Sequence, residues 1–129
     1  MEHPTGYRWE QLPEYIATMQ YSRCLGRIFA ELPWLVRRRV VRPLTGAAIA
    51  IGAGIVGLNA ELPPSERFSA DQREGYRKVA LDAVALSRDG VQGLAGRLRA
   101  PRADIITALE LLERIEASVR EAEPPPDWL

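Results

Sequence analysis

The chain has 129 residues and a mass of 14.4 kDa, the size of one domain with one hydrophobic core. Hydrophobic residues make up 47% and charged residues 26% of the chain, values that argue against a fibrous protein and against global disorder. Seventeen basic residues balance seventeen acidic ones, so no net charge draws the protein toward nucleic acid or a membrane surface.

Four helical segments are predicted in chain order, with proline and glycine at the joints. The first runs from about Pro13 to Glu31 and ends before the next proline. The second covers about residues 35–61 and contains Pro43. Because proline lacks an amide donor and disfavours helical geometry in the residue before it, we expect a kink or a fresh start there.

The third and fourth helices have clearer boundaries. Ser69, with Gln72 three residues later, forms a capping-box pattern, and the helix runs to about Arg97. Pro101 suits the first turn of the fourth helix. The third helix has a stripe of Tyr76, Ala80, Ala83, Val91, Leu94 and Leu98, interrupted by Ser87. The fourth has the cleanest amphipathic stripe in the chain: Ile105, Ala108, Leu109, Leu112, Ile115 and Val119.

The helices together predict one architecture. Four helices with short joints and no strand pattern indicate an all-α, antiparallel, up-down-up-down four-helix bundle. We expect residues 1–129 to form a single domain, with a loose arm at 1–11 and a proline-rich tail at 123–129.

The second helix contains an uncharged stretch of fifteen residues, Leu44 to Leu58. It has three interpretations: a membrane span anchored by arginines, a core helix within its own bundle, or a core helix whose outer face meets another subunit. A span needs about 20 apolar residues, and a bundle helix normally turns an outer face to water. We therefore favour a homo-oligomer with no membrane partner. The predicted subunit contact is the stripe of small residues Gly46, Ala50, Ala53 and Gly57.

Short motifs in this region suggest a family. They are Leu44-Thr45 with Ile55 and Ala60-Glu61 after it, Leu32-Pro33, and Glu74-Gly75-Tyr76-Arg77 through Ala83. In these motifs, over roughly residues 15–116, the chain resembles small bacterial four-helix-bundle proteins, the intervening-sequence or ribosomal-protein-like proteins. The accessory variability determinant of diversity-generating retroelements belongs to the same family.

The resemblance implies a homopentameric ring, and contact with nucleic acid and a reverse transcriptase through a basic surface. The chain departs from the family at Ile49 and Ala50, where arginines are common, and in its zero net charge. The resemblance therefore supports the fold and the pentamer more than nucleic-acid binding.

Sixteen of the seventeen basic residues are arginine, which reflects either genome composition or selection for guanidinium contacts with carboxylates and phosphates. In the predicted bundle, the first and third joints lie at the same end. The arginines gathered there are Arg37, Arg38, Arg39, Arg42, Arg97, Arg99 and Arg102. They form either an anion-binding surface or solvated loop charge partly paired with Glu31 or Asp104.

The single cysteine, Cys24, and the single histidine, His3, limit the chemistry available. One cysteine makes no intramolecular disulfide or thiolate zinc site, and a histidine outside the helices serves neither a di-iron site nor a Ser–His pair. We therefore predict no enzyme activity and no cofactor, and we interpret Cys24 as a core residue. Because residues 1–15 have no apolar run, we expect no secretory signal and a cytoplasmic location.

The leading functional hypothesis is a non-enzymatic oligomeric module whose arginine-rich end binds an anionic partner, RNA or DNA. The alternative is an adaptor that binds only protein, through a tail in which Trp128 docks on a neighbouring subunit or partner; a disordered tail is also open. A membrane-associated helix protein is a third option. Trp34, which follows Pro33, is interpreted as a packing plug at one bundle end.

Overall fold

The computed structural model describes residues 12–60, 68–97 and 101–122. Four α-helices make up nearly all of these residues: α1 (Pro13–Glu31), α2 (Trp34–Leu58), α3 (Ala70–Ala95) and α4 (Arg102–Glu121). No strand occurs in the three described ranges, so the all-α prediction is confirmed. The predictions for the arm at 1–11 and the tail at 123–129 lie outside them.

The helices pack around one hydrophobic core. α2 packs on α3 and α1 on α4, and further contacts join α3 to α4 and α1 to α2. The buried faces of α3 and α4 follow most of the predicted apolar stripes, with Ser87 fully buried among them. Val84 and Leu111 are buried as well, whereas Tyr76 and Leu109 are half-buried. Leu98 lies outside the described residues. The largest fully buried side chains include Tyr21 and Ile28 of α1, Ile51, Ile55 and Leu58 of α2, and Leu112 and Ile115 of α4.

The structure confirms the predicted start of α3 but not the predicted interruption of α2. At the start of α3, the capping box is confirmed: Gln72 N–H donates to Ser69 Oγ at 3.1 Å, and Ser69 N–H donates to Gln72 Oε1 at 2.7 Å. In α2 the helix continues unbroken through Pro43, so the expected fresh start is not observed. The missing amide of Pro43 leaves the Arg39 carbonyl, four residues earlier on an exposed face, without a helical donor.

α2 and α3 approach closely at glycine positions. A Cβ atom at Gly54 would lie 2.8 Å from the backbone nitrogen of Ala80 and 2.8 Å from the carbonyl oxygen of Tyr76. A Cβ at Gly57 would overlap the Tyr76 ring, and one at Gly90 would lie 2.6 Å from Leu44 Cδ2. The absence of a side chain at these three positions is what lets the two helices pack at this distance.

The guanidinium of Arg77 holds the end of α4 against α3. It donates to the carbonyl oxygen of Arg120 at 3.1 Å and to that of Ala122 at 2.6 Å, and it also contacts the Val119 carbonyl. These carbonyls lie at the C-terminal end of a helix, where no helical donor is available. Glu74 Oε1 accepts from Arg77 Nε at 2.9 Å and keeps the side chain in place.

Removing this guanidinium is expected to destabilise the protein. Arg77→Ala leaves several partly buried carbonyls without a donor, and hydrogen bonds to charged groups contribute about 1.5–3 kcal/mol each. The matched control is Lys78→Ala, which removes an exposed ion pair with Asp82 that contributes roughly 0.3–0.5 kcal/mol. Urea unfolding measures both variants. Equal loss of unfolding free energy in the two would contradict the capping role of Arg77.

Cys24 lies buried at the contact between α1 and α4, as the core interpretation predicts. Its thiol donates to the backbone oxygen of Asp104 at 3.0 Å. One turn away, Arg27 Nε donates to Asp104 Oδ1 at 3.1 Å. Burial raises the pKa of the Cys24 thiol above its usual range, so the thiolate is disfavoured and the residue acts as a packing group.

Tyr21 and Ser87 bring two hydroxyl groups into the core. Neither Tyr21 Oη nor Ser87 Oγ makes a hydrogen bond of ordinary geometry within the described part of the chain. Burial raises the pKa of Tyr21 to about 12, and the neighbouring Ser87 hydroxyl only partly opposes this rise. The fold therefore favours the neutral phenol.

This preference predicts a specific alkaline instability. Since the folded-state pKa of Tyr21 lies above the ordinary tyrosine value of 10.0, the stability that the buried neutral phenol contributes is fully present below pH 10 and is lost as the pH rises toward 12. Tyr21→Phe removes that component. Unfolding in urea, measured at neutral pH and between these two pH values, should show a smaller alkaline loss for the variant. An identical alkaline loss in both proteins would contradict the prediction.

α2 has the length and hydropathy of a membrane span but the burial of a core helix. Among the residues described, it is the helix long and apolar enough to cross a membrane by length and composition. It also buries Leu44, Ile51, Ile55 and Leu58 against the other helices, as a core helix does.

Candidate functional site

The first turns of α2 carry a cluster of arginines around an exposed tryptophan. Arg37, Arg38 and Arg42 line one shallow depression, of about 590 Å³, together with Trp34 and Val41. We call this surface the Arg–Trp depression. Arg39 is also exposed on the same turns but does not line it. The structure therefore brings three of the predicted arginines to one surface.

Trp34 does not plug the end of the bundle, and that expectation is wrong. Its side chain is 62% exposed, and the guanidinium carbon of Arg38 lies 5.6 Å from the ring centroid. Trp34 precedes the buried Leu44 by ten residues, which at 3.6 residues a turn turns it roughly a quarter turn off the core face. The guanidinium over the ring is within the range of a cation–π interaction.

The arginines of the depression have no acidic partners in the described residues. None of Arg37, Arg38 and Arg42 forms an ion pair with a residue in 12–60, 68–97 or 101–122. Asp104, one of the two acids considered as a partner, pairs with Arg27 instead. These guanidinium groups are exposed and available to an external anion.

Arg37 also stands where helix electrostatics disfavours a positive charge. Arg37 lies in the first turn of α2, which contains no acidic residue, and the N-terminal end of a helix carries a partial positive charge. Cations there cost stability, by about 0.3–1 kcal/mol each at exposed sites. Helix electrostatics therefore does not explain why an arginine occupies position 37.

The other predicted arginines lie at the ends of two further helices. Arg97 is exposed just beyond the end of α3, and Arg102 is the exposed first residue of α4. Neither lines the Arg–Trp depression. Arg99, and Trp128 of the tail, lie outside the described residues.

The small residues predicted as a subunit contact divide into two environments. Gly46 and Ala53 are exposed and Ala50 is half-buried on the outer side of α2. Gly57 is buried, and the Tyr76 ring of the same chain occupies the space that a side chain at this position would need. Ile49, which is 68% exposed, extends the uncharged outer face.

An apolar groove beside this outer face was not expected from the sequence. It has a volume of about 870 Å³ and lies between α1 and α2, with Phe68 and Tyr76 at one end. Gly26 of α1 and Gly52 of α2 both line it, and neither has an atom within 4 Å of where a Cβ would stand. The sequence could have indicated this opening only weakly. A glycine on each of two adjacent helices is found both beside an open groove and where two helices pack closely.

The described residues were also compared with the ligand sets that hold metal ions. Among the described residues, no group of three or more His, Cys, Asp or Glu side chains is placed to hold a metal ion.

Comparisons with family models, with curated proteins and with solved structures each found no match to the chain. The family resemblance drawn from the sequence motifs therefore stays a prediction, and the functional argument depends on the residues themselves.

Proposed function

We propose that the protein is a non-enzymatic nucleic-acid-binding module that uses the Arg–Trp depression as its contact surface. The observation that carries the proposal is the grouping of three exposed guanidinium groups around an exposed indole ring, with no acidic partner among the described residues. Guanidinium forks match phosphate oxygens in geometry and charge, and an exposed indole offers a face on which a base stacks.

The chemistry of the depression favours single-stranded RNA or DNA. In a duplex the base faces are stacked on each other, whereas an unpaired base is free to stack on Trp34 while Arg37 or Arg42 meets the flanking phosphate. Every base has a π-face, and phosphates are the same in every sequence. Binding is therefore expected to be weak and without base specificity.

The antiparallel up-down-up-down order of the helices is part of the same proposal. Three contacts support it, each joining the early part of one helix to the late part of the next: Asn59 with Glu14, Leu44 with the Gly90 position, and Arg77 with Ala122. In this order Arg97 and Arg102 stand at the same end as Arg37. They would extend the basic surface beyond the depression.

We also propose that the chain assembles with itself, through the outer face of α2 at Gly46, Ala50 and Ala53. The exposed, uncharged face that includes Ile49 supports this. The resemblance to pentameric proteins suggests five subunits, and a reverse transcriptase as a further partner. Light scattering tests the assembly: a mass equal to the single chain of 14.4 kDa would contradict it.

The direct test of the proposed contact surface is a single substitution at Trp34. Trp34→Ala should weaken binding to a labelled single-stranded oligonucleotide about 5- to 150-fold, since stacking of one base contributes roughly 1–3 kcal/mol. Fluorescence anisotropy measures the affinity.

Leu35→Ala is the matched control for this test. Leu35 is equally exposed, at 65%, and does not line the depression, so its replacement should leave the affinity unchanged. The adaptor hypothesis predicts no nucleic-acid binding by any of the three proteins. Equal affinities for wild type and both variants would exclude Trp34 as a contact.

A further inference from the structure

The groove between α1 and α2 has the lining of a site for a proline-rich segment. Four aromatic side chains line it: Tyr15, Phe29, Phe68 and Tyr76. Aromatic-lined grooves are the surfaces on which proline-rich segments dock, because a polyproline II helix is already ordered before binding and loses little entropy.

The chain itself carries one segment of this chemistry. Residues 123–129 read Glu-Pro-Pro-Pro-Asp-Trp-Leu, and three consecutive prolines favour the polyproline II conformation. Trp128 and Leu129 follow the prolines and supply apolar side chains that suit the wider, glycine-lined part of the groove. No other run of three prolines occurs in the chain.

The position of Ala122 brings this segment close to the groove. The Ala122 carbonyl accepts from Arg77 Nη2 at 2.6 Å, and Arg77 is adjacent in sequence to Tyr76, which lines the groove. An α-helix is about 10–12 Å across, and seven residues in a polyproline II conformation extend roughly 22 Å at about 3.1 Å each. The tail is therefore long enough to cross α3 and still place its last three or four residues in the groove.

We propose that residues 123–129 dock in the groove of their own chain, with Pro126 at the end formed by Tyr76 and Phe68 and with Trp128 beside Gly52. Attachment at Ala122 gives the segment a high effective concentration at its own groove, which favours this occupant over a free partner. The groove shares Ala53 with the proposed subunit contact, so the docked tail would form part of the surface that a second subunit meets. This inference does not depend on nucleic-acid binding.

The test uses the full chain with Trp128 as its single tryptophan. Trp9→Phe and Trp34→Phe remove the other two, so the fluorescence reports Trp128 alone. We expect emission at shorter wavelength than that of a free peptide of residues 121–129, because docking takes the indole out of water. The emission should not change on dilution, because the segment and the groove belong to one chain.

Two groove-filling variants and one control complete the test. Gly52→Leu and Gly26→Leu each add a side chain in the groove at a position where a Cβ has no atom within 4 Å, and should shift the Trp128 emission to that of the free peptide. Gly93→Leu is the control: Gly93 is also on a helix with open space around it but does not line the groove, and it should leave the emission unchanged.

Each of the other results would overturn the proposal. Emission that shifts to longer wavelength on dilution would show that the tail docks on a second copy. Peptide-like emission in the starting protein would show that the tail does not dock. A short-wavelength emission that persists in both groove-filling variants, with circular dichroism unchanged, would place Trp128 at another site.

Discussion

Replacing Arg37, Arg38 and Arg39 together by glutamate is expected to abolish nucleic-acid binding and to leave the helical content intact. The change removes all but Arg42 of the arginines on the first turns of α2 and puts repulsive charge in their place. All three side chains are exposed, so no core packing is lost; the surface contact between the Arg38 guanidinium and the Trp34 ring is removed. Glutamate near the start of α2 also interacts favourably with the helix dipole, so thermal stability should be equal to that of wild type or higher.

A charge-matched control separates local contact from net charge. Arg23, Arg73 and Arg114 make no ion pair with a described residue and do not line the Arg–Trp depression. Their triple replacement by glutamate gives the same change in net charge. It should weaken binding only slightly, because these three residues lie outside the depression and salt screens charges that do not contact the ligand directly. Equal losses in the two triple variants would contradict the proposed location of the site.

Gly54→Ala is expected to destabilise the protein, although alanine is the better helix former. The new methyl group would lie 2.8 Å from two backbone atoms of α3, and backbone atoms do not yield as a flexible side chain does. Overpacking of this kind typically costs about 1–3 kcal/mol. Thermal and urea unfolding measure the loss, and the m-value should be unchanged.

Gly75→Ala, inside α3, is the matched control. Gly75 is exposed and does not line the groove, and no atom lies within 4 Å of its Cβ position, so only the intrinsic helix preference acts, and it favours alanine by about 0.5–1 kcal/mol. The two identical substitutions should thus change stability in opposite directions. A stabilising Gly54→Ala would show that α2 and α3 do not pack as closely as described.

The sequence predicted the elements of this fold more completely than its surface. The capping box at Ser69 and the apolar stripe of α4 depend on residues within one helix, and both were recognised correctly. The continuity of α2 through Pro43 was harder to foresee. The local cost of a proline is compensated by the packing of residues such as Leu44 and Ala48 beyond it.

The roles of the glycines depend on what the neighbouring helix places opposite them. Gly46 and Gly57 share one stripe of α2, yet Gly46 faces open space and Gly57 faces the Tyr76 ring. Each glycine lies four residues from the nearest alanine of the stripe, so no pattern within α2 distinguishes the two. The groove also could not be read from one helix, because it depends on how α1 and α2 pack against each other.

At the candidate site, the residue types were predicted but the arrangement was not. The cluster at Arg37, Arg38 and Arg42 was recognised from charge alone. The place of Trp34 directly after Pro33 predicts a packing plug, whereas its position off the core face of α2 leaves it exposed beside Arg38. An exposed tryptophan within an arginine cluster is the signal that charge patterning by itself does not show.

The most direct test of nucleic-acid binding at the Arg–Trp depression is a titration of wild-type protein with a labelled single-stranded oligonucleotide over a range of salt concentrations. We predict that micromolar protein binds the oligonucleotide in about 50 mM salt. The logarithm of the affinity should fall with the logarithm of the salt concentration with a slope of about −2 if three arginines contact phosphate, because each contact on a single strand contributes roughly −0.7. No retention at micromolar protein in the low-salt buffer would contradict the proposal and favour a protein-only adaptor.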